Sequence, residues 1–200
     1  MGVNNIMTKE KMIKWYNDSL EKYGETDFRS LTWSDLEGKS AKRRYDVINS
    51  IEPFENKDII EFGCGWGSFF DFGFTCNDYL GIDINPKFIH LAKDKHDCTF
   101  CVGDCLTFKT KNRFDLAISS GVAGNQGGPA DHPTKLKQFL VNMKNHASKV
   151  MVNFPTTWAT IRSQNIEYFA PSSTLEVALS VSENVQLVHK TNFDFLLILE

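Results

Sequence analysis

The chain has 200 residues, of which 42% are hydrophobic and 24% are charged, and its formal net charge is −3. These values predict one soluble globular domain that is large enough to bury a sizeable core. The acidic balance gives no support for a nucleic-acid-binding surface, and no apolar run approaches the roughly 20 residues that span a bilayer. Because the first residues contain no apolar signal region, we expect a cytoplasmic protein.

The chain contains five cysteines, an odd number, and no secretion signal accompanies them. This combination argues against a disulfide framework. Three of them, Cys98, Cys101 and Cys105, are close together in the sequence, as metal ligands often are. However, Cys98 and Cys101 lie in a strand-like segment, where an odd separation places their side chains on opposite faces. We therefore predict no metal site.

The first 55 residues are predicted to form a helical cap that belongs to the same domain as the rest of the chain. Thr8 is a good N-cap for a helix that carries apolar residues on one side and ends near Gly24. A second helix is predicted from Ser40 to Pro53. An irregular aromatic segment, residues 28–34, separates the two helices.

From Asn56 onward, strands alternate with helices, which predicts a doubly wound α/β fold with helices on both faces of a mostly parallel sheet. Asn85 and Pro86 are typical of the start of a helix, and so is the capping box from Ser173 to Glu176. The turn between the last two strands is so short that they must pair as an antiparallel hairpin. The seven predicted strands are Ile59–Phe62, Tyr79–Asp83, Thr99–Val102, Phe114–Ser119, Val150–Asn153, Val185–His189 and Phe193–Leu199.

The most specific motif is an apolar strand that ends in an acid and continues into alternating glycines, Ile59-Ile60-Glu61-Phe62-Gly63-Cys64-Gly65-Trp66-Gly67. Glycines at the carboxyl end of a parallel strand make room for a nucleotide or nucleoside. A nicotinamide-dependent oxidoreductase is one alternative, but Ser68 stands where the dinucleotide fingerprint has its third glycine. The motif instead resembles motif I, E/D-x-G-x-G-x-G, of the class I S-adenosylmethionine-dependent methyltransferases. The C-terminal hairpin is similar to the end of the seven-strand, Rossmann-like sheet of that family.

Two acids lie at the carboxyl ends of the next two predicted strands. Asp83 lies about 20 residues after the first glycines, where a doubly wound fold places the acid that accepts both ribose hydroxyls. The alternative is that Asp83 caps the following helix. The resemblance assigns Asp104 to the adenine amino group, with the amide of Cys105 on the ring, and it places Glu61 near the ammonium of the methionine part.

The resemblance covers residues 56–200 and implies binding of S-adenosylmethionine, with S-adenosylhomocysteine as product. The cap is expected to act as a lid, with Arg43 and Arg44 as candidates for the cofactor carboxylate and with Trp33 and Tyr16 lining the acceptor pocket. The alternative for these side chains is solvation or packing alone. The expected cofactor contacts are Glu61, Gly63, Cys64, Gly65, Asp83, Ile84, Asp104, Cys105, Ser119 and Arg44.

The strand Phe114–Ser119 ends where the family places the transferring methyl group. Nucleic-acid amino-methyltransferases usually carry Asn/Asp-Pro-Pro-Tyr/Phe at this point. This chain has Ser-Ser-Gly instead, which disfavours methylation of an exocyclic base amine. A general base helps if the acceptor is a hydroxyl, and Asp131 and His132 are the candidates, although His132 is alternatively a helix-start residue. Further candidate contacts with the acceptor are Asn153 and Trp158.

The sequence therefore predicts an enzyme that transfers a methyl group from S-adenosylmethionine to an acceptor, and a small molecule is favoured as the acceptor. Two alternatives stay open. One is a non-catalytic subunit that binds S-adenosylmethionine. The other is a methyltransferase that acts on RNA or protein together with a partner.

Overall fold

The sheet has seven strands in the order β3-β2-β1-β4-β5-β7-β6. The computed structural model describes residues 8–33, 35–125, 128, 130, 132–163 and 166–200. Strands β1 to β5 run parallel, whereas β7 is antiparallel to both β5 and β6. The predicted mixed sheet with a C-terminal hairpin is thus confirmed. The strands are Asp58–Phe62 (β1), Asp78–Asp83 (β2), Thr99–Val102 (β3), Phe114–Ser119 (β4), Ala147–Pro155 (β5), Val185–Val188 (β6) and Asp194–Leu199 (β7).

Six α-helices belong to the described part of the chain, and they cover both faces of the sheet. They are Lys9–Tyr23 (α1), Lys39–Ile51 (α2), Ser68–Asp71 (α3), Pro86–Lys95 (α4), Pro133–His146 (α5) and Pro171–Leu179 (α6). Because successive strand residues point to opposite faces, Ile60 packs with α5 and α6 while Ile59 packs with α2 and α4. Nearly every residue of β1, β4 and β7 is buried, as expected for strands covered on both sides.

A third apolar cluster attaches the N-terminal elements to the core. It joins Leu20 of α1, Phe28 of a short 3₁₀ helix (Phe28–Leu31) and Ala41 of α2 to Trp66 and Phe88. Phe28 and Trp66 meet edge to face with ring centroids 5.5 Å apart, a geometry that adds to the energy of burial. The N-terminal helices therefore pack directly on the glycine-rich loop after β1.

The helix starts test the capping signals of the sequence. Thr8 accepts a bond from the amide of Lys11, and Asn85 accepts one of 2.9 Å from the amide of Lys87, as predicted. The capping box at Ser173 is wrong. Helix α6 begins two residues earlier, at Pro171, since proline at the first helical position has the required φ and needs no partner for an amide.

Ser173 lies inside α6 on the exposed side, so Ser173→Ala is expected to change the free energy of unfolding by less than about 0.5 kcal/mol. Asn85→Ala removes a cap that is formed and should cost about 1 kcal/mol. Urea denaturation of both variants makes the comparison. If Ser173→Ala lowered the free energy of unfolding as much as Asn85→Ala does, the capping box at Ser173 would be supported after all.

Candidate active site

A cavity of about 650 Å³ lies at the carboxyl ends of the parallel strands. This volume is in the range of small-molecule sites. The cavity lies at the topological switch point of the sheet, where β2 and β3 are on one side of β1 and β4 is on the other. Crevices at this position are where open α/β sheets bind ligands.

The glycine-rich loop after β1 forms the centre of the cavity wall. Gly63 and Gly65 line the cavity with φ of +81° and +56°, a region that side chains other than glycine rarely adopt. A Cβ at Gly63 would lie 1.9 Å from Cγ2 of Val122, and a Cβ at Gly65 would lie 2.9 Å from Cδ2 of Leu31. The loop therefore lies closely between the cap and the segment after β4, which explains why only glycine fits at both positions.

Asp83 and Asp104 line the cavity after β2 and β3. Asp83 accepts bonds from the amides of Gly65 at 3.0 Å and Asn85 at 2.8 Å, and burial raises the pKa of its carboxyl to about 6. Asp104 accepts a bond of 2.8 Å from the amide of Leu106 and forms an ion pair with Lys9 of α1. Three further predicted contacts, Cys64, Ile84 and Cys105, also line the cavity.

Glu61 does not line the cavity. Its side chain is completely buried, and its two carboxylate oxygens accept bonds from two tyrosine hydroxyls, Tyr45 of α2 at 2.6 Å and Tyr79 of β2. Burial raises the pKa of Glu61 to about 7, although both hydroxyls act in the opposite direction. The carboxylate thus holds protein groups rather than facing the space where a ligand ammonium would lie.

Arg44 lines the cavity but is already paired. Its Nε and Nη2 donate to Oδ2 and Oδ1 of Asp194, both at 2.8 Å, and its guanidinium lies 4.4 Å from the centre of the Trp33 ring. Asp194 is the first residue of β7, 150 positions away in sequence. The carboxylate expected beside Arg44 is therefore supplied by the protein itself.

Two adjacent serines at the end of β4 behave differently. Ser119 is fully buried away from the cavity, and its hydroxyl donates to the carbonyl of Phe62 at 2.9 Å. Ser120 lines the cavity with 6% of its surface exposed, and its hydroxyl has no hydrogen-bond partner within the described ranges. A buried hydroxyl normally has a partner, so Ser120 fits a site that a ligand completes. The alternation of side chains along β4 was the signal that could have separated these two residues.

Of the remaining predicted residues, some line the cavity and others do not. Trp33 and Tyr16 line the cavity, whereas Asn153 and Trp158 do not. Asn153 accepts a bond of 2.9 Å from the amide of Gly121, and Trp158 is 60% exposed. His132 is exposed and caps α5 by accepting from the amide of Thr134, which is the helix-start alternative, while Asp131 lies outside the described residues.

The comparisons with known proteins agree with this geometry. Residues 59–146, from β1 to α5, match the family model described as a methyltransferase domain. Magnesium protoporphyrin IX methyltransferase from Synechocystis PCC 6803, solved with S-adenosylhomocysteine, is similar in structure, with a TM-score of 0.67 over 95% of this chain and 97% of that chain. Residues 59–146 thus match a methyltransferase domain, and the chain as a whole has the fold of S-adenosylmethionine-dependent methyltransferases.

Other solved methyltransferases share the fold. One S-adenosylmethionine-dependent methyltransferase from Clostridium acetobutylicum has a TM-score of 0.63 over 92% of this chain and 97% of its own. An amino pentose methyltransferase from Micromonospora echinaspora has a TM-score of 0.61 over 80% and 91%. Sequence identities are 12% to the Synechocystis enzyme, 10% to the Clostridium enzyme and 14% to the Micromonospora enzyme, so these likenesses show the fold alone. No curated protein sequence matches this chain.

The described part of the chain also gives findings on metal ligands and membrane-spanning helices. It contains no group of three His, Cys, Asp or Glu side chains placed to hold a metal ion. Cys98 and Cys101 are both free thiols there, and so are the other three cysteines. None of the described helices is long and apolar enough to cross a membrane.

The buried carboxyl of Glu61 predicts a pH effect on stability. Because its folded pKa of about 7 is above the ordinary 4.5, its contribution to the free energy of unfolding is fully present below about pH 4.5 and is lost as the pH rises through about 7. Relative to Glu61→Gln, which is neutral at every pH, the wild type should lose on the order of 3 kcal/mol across this window. Urea denaturation of both proteins at several pH values measures the difference, and parallel curves would contradict the raised pKa.

Proposed function

We propose that the chain is an S-adenosylmethionine-dependent methyltransferase that acts on a small molecule, and that its cavity binds cofactor and acceptor side by side. The supporting observation is the order of groups along the cavity wall. Asp104 follows β3, Asp83 ends β2, the glycine loop follows β1 and Ser120 follows β4, and these four strands are adjacent in the sheet. An acid for adenine, an acid for ribose, a glycine loop for methionine and a polar position for the acceptor thus succeed one another.

The residues present fit S-adenosylmethionine. Gly63 and Gly65 line the cavity with backbone that carries no side chain of its own, so backbone groups are available to a ligand there. Ser120 is a buried hydroxyl without a partner among the described residues, at the end of the same cavity wall. When bound, the cofactor supplies a methyl group activated on a sulfonium, and its transfer leaves S-adenosylhomocysteine.

The residues of the chain then bind, orient and exclude water. Asp83 would accept the two ribose hydroxyls, since an ionised carboxylate has about four acceptor sites and the two amides use only part of them. Asp104 would accept from the adenine amino group while Lys9 holds it from the cap. Orientation and dryness are the main requirements of a transfer between a sulfonium and a nucleophile.

The cap would act as the lid of this site. Leu31 lies directly over Gly65, and Tyr16 and Trp33 line the cavity from the same side. Glu61 would contribute indirectly, because it fixes Tyr45 of α2 rather than a cofactor group. A cavity closed from this side favours a small acceptor over a polymer. In support, two of the similar structures are named as enzymes for magnesium protoporphyrin IX and for an amino pentose.

Asp83→Asn tests the cofactor assignment. It keeps the shape of the side chain but removes the charge that strengthens hydrogen bonds with the ribose. We expect S-adenosylhomocysteine to bind about 10- to 100-fold more weakly, equivalent to about 1–3 kcal/mol, by calorimetric titration. The matched control is Asp94→Asn on the exposed side of α4, which should bind normally. Wild-type affinity in a folded Asp83 variant would refute the ribose assignment.

The acceptor class is tested with methyl-labelled S-adenosylmethionine. The enzyme is incubated separately with a small-molecule metabolite extract, total RNA and a protein fraction, and Asp83→Asn serves as the background. We expect label in the small-molecule fraction alone. Label in RNA or protein would support the alternative that uses a macromolecular substrate. Cofactor binding with no label in any fraction would support the non-catalytic alternative.

A further inference from the structure

The acceptor end of the cavity is the part of its wall beyond the glycine loop. It is formed by residues of the cap and of the ends of β4 and β7, namely Trp33, Arg43, Arg44, Ser120, Phe193 and Asp194. An inference about the acceptor from this wall rests on the proposed function, because it assumes that the cofactor occupies the Asp104, Asp83 and glycine-loop side.

The positive charges on the cavity wall differ in their pairing. Lys9 pairs with Asp104, Arg44 pairs with Asp194, and Lys135 also has an interaction partner. Arg43 is different, since none of the described carboxylates lies within ion-pair distance of its guanidinium. Its guanidinium instead lies over the ring of Phe193, 5.5 Å from the ring centre.

An arginine without a carboxylate at the edge of a cavity matches a particular ligand group. The guanidinium presents parallel N–H donors that fit the two oxygens of a carboxylate. A doubly charged phosphate would be better served by a second available cation, but the charge of the neighbouring Arg44 is already paired with Asp194, to which its Nε and Nη2 donate. The charge balance of the wall thus favours one carboxylate.

Aromatic rings define the shape of the space beside Arg43. Phe193 is 39% exposed, and Trp33 lies against the end of β4, where a Cβ at Gly121 would be only 2.7 Å from Cζ2 of Trp33. The guanidinium of Arg44 lies over the Trp33 ring and keeps it in place. Flat apolar rings pack well against a planar ligand.

We propose that the acceptor is a planar aromatic carboxylate, which binds Arg43 through its carboxylate and packs its ring among Trp33 and Phe193. Arg43 is exposed, whereas Ser120 is buried. The carboxylate therefore lies at the mouth of the cavity, and the opposite end of the acceptor points toward the buried end of β4. Arg43 is a specificity residue in this arrangement, and Arg44 is a positioning residue that acts through Trp33.

The test is a titration of the protein saturated with S-adenosylhomocysteine, followed by NMR of the tryptophan indole N–H signals. The probes are benzoate, its neutral analogue benzamide, the non-planar cyclohexanecarboxylate and phenyl phosphate. We expect benzoate to bind at least about tenfold more tightly than benzamide and cyclohexanecarboxylate, with a shift of the Trp33 signal, which Trp33→Phe identifies. Phenyl phosphate should not exceed benzoate.

Two variants of α2 test whether Arg43 causes the preference for benzoate over benzamide. Arg43→Gln should abolish the preference for benzoate over benzamide, while Lys42→Gln, whose side chain pairs with Asp46 one turn away, should keep it. Equal binding of benzoate and benzamide, no binding of either, tighter binding of phenyl phosphate, or a preference that survives Arg43→Gln would each overturn the proposal. Calorimetry with S-adenosylhomocysteine is done first, and the titration is repeated on the ligand-free protein. If S-adenosylhomocysteine does not bind, the proposed cofactor site is wrong, and this result is distinct from a failure of the acceptor proposal.

Discussion

One buried carboxylate connects the cap to the sheet. Glu61, at the end of β1, accepts from Tyr45 of α2 on one oxygen and from Tyr79 of β2 on the other. A buried carboxyl group without partners would be costly, so the position of α2 and the position of β2 are both constrained by the same side chain. Helix α2 carries Arg43 and Arg44, and the arrangement of the acceptor end therefore depends on this contact.

The strand order of the sheet determines the order of the candidate site residues along the cavity. The carboxyl ends of β3, β2, β1 and β4 lie side by side, spaced by about 4.8 Å each. The chain places one chemical element of the site after each of these strands, which converts sequence order into a linear arrangement along the cavity. Strand β7 runs in the opposite direction, so its first residue, Asp194, lies at this same edge and adds a carboxylate that parallel strands alone would not provide.

Local patterns predicted what depends on neighbours in sequence. The strands, the cap at Asn85 and the positions of Asp83 and Asp104 follow from periodicity and short spacing, and the structure has each of them at the cavity edge or at a helix start. The capping box at Ser173 is the exception, because a proline two residues earlier provides a better start. These features need no knowledge of distant residues.

Two of the predicted site residues that do not match their expected positions, Glu61 and Arg44, depend on distant partners. Glu61 resembles a cofactor ligand until the two tyrosines are seen, and Arg44 resembles one until Asp194, 150 residues later, is brought to it. Which of Ser119 and Ser120 lines the cavity depends on the direction in which each side chain points at the end of β4.

Arg43 and Arg44 show how adjacent residues of one helix acquire different tasks. Successive side chains on a helix do not point in the same direction, so only Arg44 reaches Asp194 and the face of Trp33. Arg44 is neutralised within the protein, where it fixes an aromatic wall. Arg43 lies at the mouth of the same cavity beside the ring of Phe193, with no described carboxylate within ion-pair distance. The pairing of one arginine is therefore what allows the other to select a ligand by charge, because a cavity with two unpaired guanidinium groups would favour a doubly charged acceptor instead.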